Sequence, residues 1–189
     1  MPVINSGSCR GRKLKTLEGQ QTRPTPERLK EAVFSSIGTR IEGASFLDLF
    51  AGSGQMGLEA ASRGAAHVVM VEKNQEAFAV LLENVRRSGL SGIDLKCRDA
   101  SRYLRQASRD GYHFDFIYFD PPWKREEEYL SQYWDLMAAL LDADSTLLLE
   151  SDRDLNIQIP EPFHCCKTCR AGRSMISFYR KSHMQKMTD

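Results

Sequence analysis

The sequence predicts a single α/β domain, a mostly parallel sheet with helices on both faces. Three observations predict it. An apolar run carrying one acid, Phe46 to Phe50, breaks into Ala51-Gly52-Ser53-Gly54 and resumes with helical composition to Arg63. That is strand, tight glycine turn and helix. Downstream, short runs rich in β-branched and aromatic residues alternate with amphipathic stretches as far as Glu150. The tail, about 163–180, carries two more β-like runs without a clear helix between them. A final hairpin adding an antiparallel edge strand is therefore expected.

The elements follow in order. Residues 2–19 carry Gly7, Gly11 and Gly19 between short apolar pieces, which fits a small β-hairpin. Pro24 and Pro26 keep the next stretch extended. Thr25 is placed to cap a helix with Pro26 at its first position, and Leu29, Val33, Phe34 and Ile37 recur at helical spacing. After the strand-turn-helix of 46–63, Val68 to Glu72 reads as a buried strand. Asn74 caps a helix whose apolar positions are Phe78, Leu81, Leu82 and Val85, ending near Gly89. Ile93 to Cys97 is a strand, and Asp99 to Ala107 a helix. Phe114 to Phe119 is a strand ending at Asp120. Glu126 to Leu141 is a helix and Thr146 to Glu150 a strand. The expected division is a basic N-terminal hairpin over 1–20, the main domain over 21–182 and a tail over 183–189.

Composition narrows the classes. A chain of 189 residues, 41% hydrophobic and 27% charged, matches one soluble globular domain with a small extension. No apolar run approaches the ~18 residues of a membrane span. Residues 1–15 contain no apolar signal core, so a cytoplasmic address is expected; a monomer is the expected state. The five cysteines read as free thiols. Cys166 and Cys169 fall in an expected strand, where positions three apart face opposite sides, and no second pair completes a metal site. No metal is expected. Residues 1–30 hold seven basic residues against two acidic, a net of +5, so the remaining chain carries −4 of the total +1. A basic arm on an acidic body meets a polyanion or is a solvated hairpin; charge alone leaves both open.

In parallel sheets ligands sit at the carboxyl ends of the strands. Asp48, Glu72, Asp99 and Asp120 all fall there. Gly52-x-Gly54-x-x-Gly57 spells a dinucleotide fingerprint, with Glu72 about 20 residues on where a ribose-binding acid belongs. Asp48 beside the turn is unfavourable for a pyrophosphate. It suits a cationic ligand, and S-adenosylmethionine fits, with a sulfonium, an ammonium, a ribose and an adenine but no phosphate. Glu72 is placed to accept the ribose hydroxyls, and Asp99 to accept from the adenine amine. Asp120-Pro121-Pro122-Trp123 is the second distinctive motif. Its prolines remove two N–H donors and leave a carboxylate and a carbonyl as acceptors beside an aromatic plane. That is a socket for a planar ring bearing an amino group, with Trp123 as a stacking surface.

The motifs together resemble the RsmD family of bacterial 16S rRNA guanine-N2 methyltransferases. The likeness lies in Gly11-Arg12-Lys13-Leu14, Thr22-Arg23-Pro24-Thr25, Asp48 to Gly54, Gly57-Leu58-Glu59-Ala60 and Ser62-Arg63-Gly64-Ala65. It continues through Val71-Glu72-Lys73 and Asp120-Pro121-Pro122 to Ser177-Phe178-Tyr179-Arg180, in the same order. Trp123 stands where family members more often carry Tyr. The resemblance implies a class I S-adenosylmethionine-dependent methyltransferase fold, Rossmann-like, with seven strands and the last antiparallel, plus an N-terminal hairpin. It implies methylation of the exocyclic N2 amine of a guanine in the small ribosomal subunit or its assembly intermediate. It also implies that Arg23, Pro24 and Thr25 close over the methionine end of the cofactor. The candidate catalytic residues are Asp120, Pro121, Pro122 and Trp123. The other candidate cofactor-binding residues are Asp48, Phe50, Ala51, Gly52, Ser53, Gly54, Glu72, Lys73, Asp99 and Ala100. Arg10, Arg12, Lys13 and Trp123 are the candidate RNA contacts. The same acceptor socket serves an adenine-N6 or cytosine-N4 methyltransferase on DNA or another RNA. A non-catalytic RNA-binding assembly factor and a nicotinamide oxidoreductase are the alternatives of other classes.

Overall fold

The computed structural model describes residues 1–17, 25–122, 125–151 and 159–181. Five parallel-type units build the sheet from β1 (Ser45–Asp48), β2 (His67–Glu72), β3 (Ile93–Cys97), β4 (Phe116–Phe119) and β5 (Thr146–Ser151). The helices are α1 (Glu27–Ile37), α2 (Gln55–Ser62), α3 (Gln75–Ser88), α4 (Ala100–Arg109) and α5 (Glu126–Ala138), with a 3-10 turn at Gly38–Ile41. A closing pair, β6 (Phe163–Ala171) and β7 (Ser174–Lys181), completes the sheet.

The seven strands lie in the order β3-β2-β1-β4-β5-β7-β6. The first five are mutually parallel, and β7 runs antiparallel to both β5 and β6. The antiparallel strand is therefore inside the sheet, where sequence reading places it at the edge. Its burial explains this: Met175 to Tyr179 are all buried, whereas most of β6 is exposed. The chain thus forms the seven-stranded α/β fold that the sequence predicts.

Strand alternation builds two cores. Phe46, Val68, Met70, Phe116 and Leu148 face α1, α2 and α3, where they meet Leu29, Val33, Phe34, Leu58 and Leu81. Leu47, Val69, Ile117 and Leu147 face α4 and α5, where they meet Tyr103, Leu104, Trp134 and Met137. Each fully buried Leu, Ile, Val or Phe contributes about 1.5–3 kcal/mol by leaving water.

The N-terminal arm is not the regular hairpin expected. One antiparallel bridge, Val3 to Lys13, joins its two limbs, with Ile4 N donating to Arg12 O at 3.0 Å, Gly11 N to Ile4 O at 2.7 Å and Leu14 N to Pro2 O at 2.8 Å. Nearer the turn, the body takes the amides instead. Glu59 on α2 accepts from Asn5 N at 2.7 Å and Ser6 N at 3.1 Å, and Ser62 Oγ accepts from Cys9 N at 2.9 Å. Glu59 also bonds Arg63 Nε at 2.7 Å and lies 3.3 Å from Lys30 Nζ. Lys30 in turn donates to Val3 O. Ile4 and Leu14 drop into the core beside α1. Gly7 is obligatory here: a Cβ on it would lie 1.7 Å from Ser62 O.

Candidate active site

A cavity of about 540 Å³ opens at the carboxyl ends of β1, β2, β4 and β5. That size suits a cofactor or drug-sized ligand. Its floor is the glycine turn. Leu49 N donates to Tyr118 O at 3.1 Å and Ala51 N to Val71 O at 3.0 Å, so the turn leaves the sheet clamped between β4 and β2. Gly52 takes φ +52°, and a Cβ there would meet nothing within 4 Å, so its backbone is open to a ligand. Gly54 and Gly57 serve packing instead. A Cβ on Gly54 would lie 2.5 Å from Leu81 Cδ1, and one on Gly57 would lie 2.4 Å from Met70 Sδ.

The walls are acidic. Asp48, Glu72, Asp120, Glu126 and Glu150 all line the cavity, and no Lys, Arg or His side chain does so among the described residues. Asp48 is buried; its Oδ2 accepts from Gly57 N at 3.2 Å, while Oδ1 has no hydrogen-bond partner among the described residues. Burial pushes its carboxyl up to about 7, with Glu72 and Glu150 adding repulsion against the Gly57 bond. Asp120 is held well above the usual carboxylate range, first by burial, then by Glu150, Asp48 and Glu126. Glu72 is oriented by two amides, Gly52 N at 3.0 Å and Asn74 N at 2.7 Å, which leaves further lone pairs for a ligand.

Three residues that sequence reading did not select complete the inner wall. Glu150 Oε2 accepts from Thr25 Oγ1 at 2.9 Å and from the Tyr118 hydroxyl, and those two hydroxyls lie 3.2 Å apart. Burial, then Glu150 and Asp120, keep the Tyr118 phenol protonated far above its ordinary value. Thr25 is therefore not a helix cap; α1 starts at Glu27, with Pro26 in the cap position and no side-chain cap. Its hydroxyl ties the entry of α1 to the end of β5. Glu126, at the first turn of α5, is the third. Glu150 was findable: like Asp48 and Asp120, it stands at the carboxyl end of a strand.

Of the candidate cofactor residues, Thr25, Asp48, Phe50, Ala51, Gly52, Ser53 and Glu72 line the cavity, as do Asp120, Pro121 and Pro122 of the socket motif. Gly54 is buried beneath the turn. Lys73, Asp99 and Ala100 are not in the lining. Asp99 caps α4, accepting from Ser101 N at 2.9 Å and Ser101 Oγ at 2.6 Å. Burial raises its carboxyl, but these bonds and the Arg102 amide outweigh that and hold it below the usual range. Arg23, Pro24 and Trp123 lie outside the described residues. Arg10, Arg12 and Lys13 are exposed on the arm.

The arm also roofs the cavity through Met1, Pro2, Thr16 and Leu17. Asn84 on α3 sets that roof. It exchanges two hydrogen bonds of 2.9 Å with the Lys15 backbone and donates a third, also 2.9 Å, to Ser53 O. One buried amide thus fastens the arm to the glycine turn.

Known proteins resemble this chain in sequence and fold. Bacillus subtilis "Putative rRNA methyltransferase YlbH" is 37% identical over 164 residues, covering 85% of this chain and 86% of its own. Ribosomal RNA small subunit methyltransferase D of Haemophilus influenzae is 30% identical over 185 residues, covering 94% and 92%. The solved structure described as "Putative methyltransferase yhhF from Escherichia coli" superposes with a TM-score of 0.80 at 27% identity, covering 95% of this chain and 97% of that one. The family model described as "Conserved hypothetical protein 95" matches residues 3–180, so the chain belongs to that family, the RsmD family that its motifs resemble.

Proposed function

We propose that the protein uses S-adenosylmethionine to methylate the exocyclic N2 amine of a guanine in 16S rRNA, acting as a cytoplasmic monomer on the small subunit or its assembly intermediate. The observation that carries the reading is a cavity whose charged lining side chains, among the described residues, are all acids, with Asp120 and Pro121 on its wall. The residues present fit the cofactor. A buried Asp48 oxygen without a partner awaits a cationic group, Gly52 offers open backbone, and Glu72 is held ready for hydroxyls. Bound there, S-adenosylmethionine supplies an electrophilic methyl group and leaves as the neutral thioether.

The chain's own share is positioning. Asp120 and the Pro121 carbonyl each take one N–H of the target amine, which turns its lone pair away from them. Asp120, ionised once the cationic ligand is bound, has the raised proton affinity to take the proton that the nitrogen sheds once methylated. Glu150, fixed by Thr25 and Tyr118, keeps that affinity high. A base held in a helix must first be unstacked to reach this wall. Support for rRNA comes from the relatives named for methylating it and from the exposed cations of the arm.

The experiment incubates labelled cofactor with undermethylated 30S particles, protein-free 16S rRNA and duplex DNA, then maps the product by mass spectrometry of digested RNA. Methylguanosine confined to 16S rRNA is the expected result. Label in adenine or cytosine, or in DNA, overturns the base or the substrate. No label anywhere, with no cofactor binding by calorimetry, overturns catalysis.

A further inference from the structure

We propose that the outer face of α4 is a second RNA-binding surface, an arginine stripe that takes the phosphates of the rRNA chain leading to the cavity. It rests on the reading that the substrate is RNA, and it concerns residues far from the basic arm.

Successive helical residues turn by about 100°, so Arg102, Arg105 and Arg109 fall within an arc of roughly 60°. Arg98 precedes the helix, just past the carboxyl end of β3. All four are exposed, and among the described residues none forms an ion pair. Arg98 Nη1 bonds only the neutral Gln106 Oε1, at 2.5 Å. The opposite face of α4, Ala100, Tyr103, Leu104 and Ala107, is buried against the sheet. The stripe is flanked by Ser101, Gln106 and Ser108, with no acid between its arginines. The two acids of the segment, Asp99 and Asp110, cap the helix at its ends.

A solvated helix face ordinarily mixes both signs, with pairs at i,i+4. This one repeats a single sign at one cation per turn, about 5.4 Å apart. Guanidinium is the side chain best matched to phosphate oxygens. A row of this kind follows a phosphodiester chain and carries no base preference. At its far end Tyr112 is 48% exposed, one of two large hydrophobic residues so exposed among those described. Its ring lies nearly parallel to Phe114, and its free face suits stacking on an unpaired base. The stripe starts at the ligand end of the sheet and runs back along the α4–α5 face. The arm packs on the other face, against α1, α2 and α3. The two cationic surfaces therefore lie on opposite faces of the sheet.

The test is the triple variant Arg102→Gln, Arg105→Gln, Arg109→Gln against a control, Arg86→Gln with Arg87→Gln on α3, where both arginines are exposed. Binding of protein-free 16S rRNA is measured from low to high salt. The triple variant should lower the log–log salt slope by about one per arginine and weaken binding on the order of 100-fold near 0.1 M salt. Its S-adenosylmethionine affinity and melting temperature should match wild type. The control should bind like wild type. An unchanged slope overturns the stripe, and so does an equal loss in the control, which reflects net charge alone. Weaker binding to 30S particles with unchanged binding to protein-free rRNA also overturns it, since the partner is then a ribosomal protein. If wild type methylates no rRNA yet the triple variant loses RNA affinity, the stripe stands and the target assignment falls.

Discussion

Replacing Asp48 by Asn separates what the acidic cavity costs the fold from what it gives the ligand. Burial raises the Asp48 carboxyl from 3.8 to about 7. Between about pH 4 and pH 7 the unfolded chain therefore binds fewer protons than the folded one. Stability falls as pH rises through that window and levels off above it. At 1.36 kcal/mol per unit, the rise corresponds to ~4 kcal/mol lost by pH 8. Asn keeps an acceptor for the Gly57 amide and nearly the same shape, but carries no charge. In urea denaturation of the cofactor-free protein, the variant should exceed wild type by about 2–4 kcal/mol at pH 8. The gap should close toward pH 4. In calorimetry at pH 8 the variant should bind S-adenosylmethionine about 10- to 100-fold more weakly, the worth of one charge-assisted contact of roughly 1.5–3 kcal/mol. The affinity difference should shrink below pH 7 as the wild-type carboxyl takes up its proton. A stability gap independent of pH would refute the buried charge. Equal affinities at pH 8 would refute its role toward a cation.

Four further outcomes follow from the same geometry. Asp120→Ala should abolish most methyl transfer while leaving cofactor affinity in place; wild-type turnover would sink the proposed chemistry. Glu59→Gln strips the partner from a Lys30 that is fully buried, and should cost about 3–5 kcal/mol in urea denaturation. A loss below about 1 kcal/mol would mean that the pair is dispensable. Asn84→Ala removes three hydrogen bonds between the arm and the glycine turn, so cofactor affinity should fall several-fold and the arm should become protease-sensitive. Unchanged affinity would show that the arm does not shape the cavity. Neutralising Arg10, Arg12 and Lys13 together should lower the RNA salt slope by about three, independently of the α4 arginines. A slope matching wild type would assign the arm another role.

The parts of this molecule legible in the sequence are those set by neighbours in the chain. Alternation and helical period mark every strand and helix of the sheet, because burial imposes one period on each. Asp48, Glu72 and Asp120 are legible because each ends an apolar run just before a turn. Residues whose meaning comes from distant partners are not. Thr25 looks like a cap, since a threonine before a proline has that local use. Its actual partners, Tyr118 and Glu150, are 93 and 125 positions away. Gly57 spells the third glycine of a nucleotide fingerprint, yet the Met70 side chain, 13 positions on, excludes a Cβ there. The arm has a hairpin's glycines and pairs its two limbs, but near its turn Glu59 and Ser62 take the amides of Asn5, Ser6 and Cys9, because both are buried and need donors.

The same contrast explains the electrostatics. Each acid at a strand end reads alone as a cap or a solvated terminus. Only the sheet order sets β1 beside both β2 and β4, and β4 beside β5, so that Asp48, Glu72, Asp120 and Glu150 face one space. Gathered there without a lining Lys, Arg or His side chain among the described residues, they raise the proton affinity of Asp48 and Asp120, a cost that a ligand can repay only by bringing positive charge. The cavity is therefore selective before any shape is considered. A pyrophosphate would add charge of the same sign to a wall already short of protons, whereas a sulfonium or an ammonium relieves it. That preference is what the glycine spelling alone leaves undecided, and the pH dependence of ligand affinity measures it directly.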